Sequence, residues 1–498
     1  MQNTNKRFSA LDRPETIRQI SETKLDLLII GGGITGAGIA LDAASRGISC
    51  AVLEMQDFAQ GTSSRSTKLV HGGLRYLEQL ELGLVREVGL EREIVHTNAA
   101  HIVIPEKMIL PIIDGGNLGE FTTSVALFLY DFLADVKKEE HRKMLTREET
   151  LAKIPLIDSP LLKSGALYYE YKTDDSRLTI EVLKKAREYG AFALNYFKAE
   201  SFIYENWNVI GVNAVDLRTN EKHKLFAKNI VNATGPWVDS LRDKDNSLKG
   251  KRIHHTKGVH IVVSKARFPL NHAMYFDNGD KRMIFAVPRQ NIVYIGTTDT
   301  DYTDQLENPA VTRADVQYIL AAVNRIAPTV SLELSDVKSA WAGLRPLIHE
   351  DGKAPSELSR KDEIFVSKSG LISIAGGKLT GYRVMAKNVT SLVMNNLVKS
   401  ENRKNITCQT KNMRLSGGEF PFYPESLKLT EYADKKFDEA KQTGISPERF
   451  KQLFYRYGMN IEMLTNYAFD SFSQCRHTDE AWLRAELWYA VNYESTLT

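Results

Sequence analysis

Gly31, Gly33 and Gly36 stand in the pattern G-x-G-x-x-G, and Glu54 follows roughly 20 residues later. These residue types suit a dinucleotide. Gly31 permits a tight turn, Gly33 lets the backbone approach a pyrophosphate, and Gly36 lets the next helix sit close on its strand. Glu54 can accept the ribose hydroxyls, and its charge disfavours a 2′-phosphate and hence NADP. A second set follows at once: Thr62, Ser63, Ser64 and Ser66, interleaved with Arg65, Lys68, His71 and Arg75. Hydroxyls, cations and a helix opened by Gly72-Gly73 make an anion-binding cradle. The plainer alternative is a polar loop ahead of an amphipathic helix.

The elements that must position these groups are legible around them. Leu25 to Ile30 is an apolar run long enough for a buried strand. The small residues of ITGAGIALDAASR predict a helix with Gly47 as its C-terminal cap, and Ile48 to Leu53 predicts a second strand ending at Glu54. A lone glycine motif is weak, but strand, glycines, helix, strand and acid share one unit of about 30 residues. Farther on, KNIVNATGPWVDSL (228–241) and GLISIAGGKLTGYR (370–383) repeat the grammar of strand, glycine turn and helix.

The chain has 498 residues, which predicts two or three domains, and 43% of them are hydrophobic. A net charge of +3 gives no indication of a nucleic-acid surface. Cys50, Cys408 and Cys475 have no C-x-x-C spacing, which argues for a reducing compartment and against disulfides or a metal site. The N-terminus lacks the apolar core of a signal peptide, and no stretch reaches the roughly 18 apolar residues of a membrane span. A cytoplasmic protein is expected, one that at most lies on a membrane.

GGGITGAGIALDAASRG followed by TSSRSTKLVHGGLRYLE resembles the FAD-dependent glycerol-3-phosphate dehydrogenases, flavoproteins of the D-amino-acid-oxidase-like superfamily. VNATGPWVD (231–239), TKGVHIVV (256–263), YIGTTDT (294–300), WAGLRPL (341–347) and AGGKLTGYR (375–383) extend the likeness from about residue 25 to 390. The resemblance implies an α/β fold in which a Rossmann-like FAD-binding domain is interleaved with an antiparallel-sheet substrate domain, followed by helices. The expected division is a helical extension at 1–24, an oxidoreductase region at 25–400 and a helical domain at 401–498. Within the oxidoreductase region, parts near 25–100, 160–245 and 340–400 are expected to bind FAD. Parts near 101–159 and 246–339 are expected to form the substrate domain.

The resemblance also implies the chemistry: oxidation of sn-glycerol 3-phosphate to dihydroxyacetone phosphate by hydride transfer from C2 to flavin N5. Electrons then pass to membrane quinone, with the protein held peripherally on the inner face of the membrane, and a homodimer is expected. Gly31, Gly33, Gly36, Glu54, Thr62, Ser63, Ser64, Ala233, Gly235, Gly343, Gly377, Lys378, Leu379 and Thr380 are the expected cofactor contacts. Arg345 and Arg360 flank a turn-rich segment that can fold back, and two guanidinium forks match a phosphate dianion. Arg75, Tyr76 and Thr298 are expected at the substrate. Lys378, with the helix start beside it, would stabilise negative charge on reduced flavin. His71 is the expected base, because imidazole can be neutral when substrate arrives; orienting the flavin loop is its other role.

Several readings stay open at this level. Lys257, His260, Thr297 and Asp299 sit at strand positions that face either substrate or structure. Asp174, Asp175 and Arg177 read as the opening of a helix. Residues 121–147 put an apolar helix beside a charged run, which suits either a membrane foot or a buried helix with a solvated loop. An oxidase that uses oxygen, an amine or 2-hydroxyacid oxidase, and a non-catalytic dinucleotide-binding protein on the same scaffold are the competing functions.

Overall fold

A computed structural model describes residues 7–71, 82–114, 116, 119–133, 136–157, 160, 162–280, 282–349, 362–376, 378–475 and 477–497. Arg75, Tyr76, Arg360 and Gly377 lie outside these residues.

The strand Leu25–Ile30 is buried at every position, as befits an apolar run covered on both faces. It lies at the centre of the first sheet, parallel to Cys50–Leu53 on one side and Lys222–Asn232 on the other. Phe192–Leu194 and Ile372–Ala375 extend the sheet outward, again in parallel. The helices Ile34–Ser45, Asp175–Glu188 and Tyr382–Glu401 contribute to one core against this sheet, with Leu27, Ile29, Ala40, Val182 and Val389 inside it.

Asp26 is the exception in the apolar strand. Burial pushes its carboxyl up, but hydrogen bonds from Arg403, Lys228 and Ser49 outweigh this and hold its pKa at about 2. Because Arg403 follows the last helix of this core, the pair ties the segment leading to the C-terminal helices back onto the sheet.

The second sheet has ten strands among the described residues, and its longest pairing joins Arg252–Ser264 to Val337–His349. Leu162–Lys172 and most of Val337–His349 lie in parts expected to bind FAD; both belong to the second sheet, paired with Ile104–Ile113 and Arg252–Ser264. Apolar alternation marks a strand, but nothing local marks its partner. The sheet is antiparallel apart from Ala273–Asp277 and Ile104–Ile113, which run parallel.

The short strand Leu69–Val70 also pairs with Leu162–Lys172. The cradle of residues 62–71 therefore crosses from the first sheet to the second. Helices Ser426–Ala440, Pro447–Tyr457, Ile461–Ser471 and Thr478–Tyr493 close around a separate core containing Phe454, Leu464 and Trp482.

Candidate active site

The glycine turn adopts the geometry its spacing requires. Gly31 has φ +110°, and a Cβ there would stand 2.5 Å from the carbonyl oxygen of Ala233. At Gly36 a Cβ would come within 1.9 Å of the Gly31 carbonyl, so only glycine lets this helix approach the strand. Gly33 is the N-cap of Ile34–Ser45, and the amide of Ile34 donates to Ser63 Oγ at 2.9 Å. A cleft of about 320 Å³ runs from Glu54 past this helix start, along Thr62 and Ser63 and the Ala233–Trp237 turn, to Gly376 and Leu379.

The two Glu54 oxygens accept from the amides of Gly32 at 2.7 Å and Gln56 at 2.8 Å. Burial pushes this carboxyl up. Each oxygen keeps a second lone pair, so the acid is oriented and still able to accept from a ribose hydroxyl.

Glycines that admit close backbone approach, a helix N-terminus and an oriented acid at the far end form a donor and acceptor set that fits FAD. Thr62 is anchored by its hydroxyl, which donates to the carbonyl of Leu344 at 2.8 Å. Ser64 turns its hydroxyl into its own turn, toward the carbonyls of Gln60 and Gly61, and is not among the lining residues.

A second cavity of about 180 Å³ adjoins the cleft, with Thr62, Ser66 and Leu379 lining both. It brings together His71, Arg345, Lys378 and Thr380, residues far apart in the chain, and also Gly343 and His260. Arg345 is aimed by the turn after Ile292–Gly296. It donates to Thr297 Oγ1 at 2.8 Å and to the Thr298 carbonyl at 3.2 Å, and it pairs with Asp299 at 3.2 Å. Gly258 leaves room for that guanidinium, since a Cβ there would lie 2.4 Å from Arg345 Nη2.

His71 is partly exposed, and its pKa falls to about 4 through burial, then Lys378 and Arg92. The pKa of His260 falls to about 3 through burial, then Arg345 and Lys68. Both imidazoles are therefore neutral at pH 7. His260 stacks on Trp341, with centroids 4.8 Å apart and planes 10° from parallel, and its Nε2 hydrogen-bonds with Thr67 Oγ1 at 3.1 Å.

Two expected or open positions turn inward. Thr298 is 2% exposed; its hydroxyl accepts from the Val259 amide and donates to the Lys257 carbonyl, and it does not line the cavity. Its contribution comes through its own carbonyl, which holds Arg345. Lys257 is paired with Asp315 at 2.8 Å, a structural contact. Trp341, Thr67 and Gly258 were not singled out from sequence as site residues. For Trp341 the signal was available, because it sits four residues before Arg345 in the quoted WAGLRPL segment.

Residues 26–383 match the family described as FAD dependent oxidoreductase, and residues 408–498 match the C-terminal domain of alpha-glycerophosphate oxidase. The aerobic glycerol-3-phosphate dehydrogenase of Bacillus subtilis (strain 168) is 51% identical over 502 residues, covering 99% of this chain and 89% of the relative. The chain belongs to the aerobic glycerol-3-phosphate dehydrogenase family of FAD-dependent oxidoreductases.

A glycerol-3-phosphate dehydrogenase from Bacillus halodurans, solved in complex with FAD, superposes with a TM-score of 0.82 at 44% identity, covering 98% of this chain and 87% of that one. L-alpha-glycerophosphate oxidase from Mycoplasma pneumoniae, with FAD bound, shares the fold at TM-score 0.60 and 17% identity, over 78% of this chain and 97% of that one. The interleaved α/β architecture with C-terminal helices is thus that of the dehydrogenase family, whose cofactor is FAD.

Proposed function

We propose that the protein oxidises sn-glycerol 3-phosphate to dihydroxyacetone phosphate and delivers the electrons to a membrane quinone. One observation carries the reading. Arg345 and Lys378 share a cavity with two neutral imidazoles, and that cavity opens beside the cofactor cleft.

Arg345 suits the phosphate dianion, because its guanidinium is pre-oriented by Thr297, Thr298 and Asp299 and loses little freedom on binding. By resemblance, Arg360, Arg75 and Tyr76 complete the substrate contacts. FAD, when bound, supplies the acceptor for the two electrons of C2.

Of the two imidazoles, His71 is the better base for the C2 hydroxyl proton. Both His260 nitrogens are unsuited: Nδ1 is buried, and Nε2 is engaged by Thr67. Lys378 precedes the short helical turn Leu379–Gly381 and would favour the negative charge that a bound flavin carries once reduced.

For the membrane contact we favour the helix Glu120–Leu133. Among the described residues no helix is long and apolar enough to cross a membrane. On the outer face of this helix Val125, Phe128 and Phe132 are 42%, 57% and 75% exposed, at helical spacing. Lys138 and Lys143 are exposed just beyond it, and the Arg142 guanidinium lies 5.5 Å from the Phe128 ring. An apolar stripe with cations at its end suits insertion at headgroup level.

Product analysis tests the acceptor. One dihydroxyacetone phosphate per quinone reduced is expected, whereas stoichiometric peroxide in air would make the protein an oxidase. Loss of vesicle binding in Phe128→Ser/Phe132→Ser is the corresponding test of the membrane face, and sedimentation tests the expected homodimer.

A further inference from the structure

The helix Asp175–Glu188 opens on three charged residues that do three different things. Asp174 is its N-cap, with Oδ1 accepting from the Arg177 amide at 3.1 Å and Ser176 Oγ at 2.8 Å. Arg177 reaches the C-terminal end of the chain, paired with Glu494 at 2.5 Å. Asp175 is fully buried and does something else. Its carboxylate accepts from the Ser66 amide at 3.2 Å, from Ser66 Oγ at 2.7 Å and from Lys68 Nζ at 2.7 Å. Asp174 provides the cap, and although Asp175 Oδ1 also accepts from the Ser176 amide at 3.0 Å, the bonds to Ser66 and Lys68 serve the loop.

That loop is the wall between the two cavities, because Ser66 lines both. Its other side carries the site. The Ser66 carbonyl accepts from Trp341 Nε1 at 3.2 Å, and Lys68 Nζ lies 5.5 Å from the Trp341 ring centroid. Thr67, between them, holds the His260 ring that stacks on Trp341. Asp175 on one face and Trp341 with His260 on the other therefore fix three consecutive residues.

We propose that Asp175 is a positioning residue: its carboxylate fixes the Ser66–Lys68 wall, and through it the spacing at which substrate meets cofactor. The proposal rests on the substrate reading above. An amide at this position would turn an N–H toward the Lys68 ammonium or the Ser66 amide, both donors only, and remove the charge that is hydrogen-bonded to the Lys68 cation. The wall would then loosen while the glycine turn and Glu54 stayed in place.

The test compares the FAD-loaded wild type with Asp175→Asn, and uses Asp174→Ala as a control that removes the cap and the 3.8 Å pairing with Arg289 but no hydrogen bond to the loop. In Asp175→Asn, amide exchange across residues 64–70 is expected to accelerate at least about 10-fold, with FAD stoichiometry unchanged. Anaerobic reduction by sn-glycerol 3-phosphate should slow by about 100-fold while substrate affinity shifts less than about 3-fold, since misplacement by about 1 Å costs rate and not binding. Asp174→Ala should lower Tm and leave both loop exchange and reduction rate as in the wild type.

Wild-type exchange and wild-type reduction in a fully loaded Asp175→Asn would overturn the proposal. So would a rate loss that merely tracks lost FAD. Should Asp175→Asn fail to fold, Ser66→Ala reads the same contact: several-fold slower reduction with faster loop exchange supports the proposal, and no change in either overturns it. If sn-glycerol 3-phosphate does not reduce the wild-type flavin, the substrate reading falls, and the exchange measurement still decides the role of Asp175.

Discussion

Thr380 Oγ1 lies 3.1 Å from the amide nitrogen of His71 and 3.0 Å from its carbonyl oxygen, across a sequence separation of 309 residues. One hydroxyl thus joins the end of the Leu69–Val70 strand to the helical turn beside Lys378. It also sets where the proposed base stands relative to Lys378, whose charge lowers the His71 pKa.

Thr380→Val keeps the shape and removes the hydroxyl. The substitution leaves the His71 amide and carbonyl unpartnered by this side chain, and the expected loss of stability is about 1–3 kcal/mol. FAD should remain bound, because no bond of the glycine turn involves Thr380. Flavin reduction should slow by about 10-fold or more as His71 shifts. Thermal unfolding and stopped-flow reduction read the two effects separately.

The pH profile follows from the two imidazoles. The folded pKa values of His71 and His260 are lowered, to about 4 and about 3, so both rings are neutral above pH 5. A base that must be neutral loses activity only as pH falls through its own pKa. The kcat/KM for flavin reduction, which reports the free enzyme's groups, should therefore stay level from pH 8 down to about pH 5 once the substrate's own phosphate ionisation is allowed for. A break near the ordinary imidazole value of about 6.5 would show that the base is another group, or that His71 is solvated.

Arg345 offers a geometric test of phosphate recognition. Arg345→Lys keeps the charge but loses the fork, so KM for sn-glycerol 3-phosphate should rise about 10-fold or more with a smaller change in kcat. Arg345→Ala should cost more, about 100-fold or more in kcat/KM. A KM unchanged in Arg345→Lys would place phosphate recognition elsewhere.

Asp26 offers a test of stability. Its folded pKa is held at about 2 against a usual 3.8. A carboxyl lowered on folding stabilises the protein above the unfolded value, and that contribution is lost as pH falls from about 4 toward 2. Asp26→Asn should therefore cost about 2 kcal/mol at pH 7 and flatten the acid decline across that window. Denaturant melts at pH 7 and pH 3 measure the difference.

The parts of the site that sequence discloses are those set by local geometry. Gly31, Gly36 and Glu54 belong to one local unit of strand, turn, helix and strand, so their spacing alone predicts the geometry they adopt. What escapes is whatever depends on strand pairing. His260 and Trp341 stack because the register of Arg252–Ser264 on Val337–His349 places them directly opposite each other. Thr298 looks like a polar residue at a strand end, and only the neighbouring strand explains why its hydroxyl turns inward. Asp175 has the same origin: its position in a helix start is legible, but its contact with Ser66 spans 109 residues.

The central claim is most directly tested by anaerobic titration of the purified, FAD-containing protein with sn-glycerol 3-phosphate, following the visible flavin band. Bleaching is expected at one equivalent of substrate per flavin, and none with glycerol or amino acids, which lack the phosphate that Arg345 is placed to hold. A bound flavin that sn-glycerol 3-phosphate leaves oxidised, while an amine or 2-hydroxyacid bleaches it, would contradict the account.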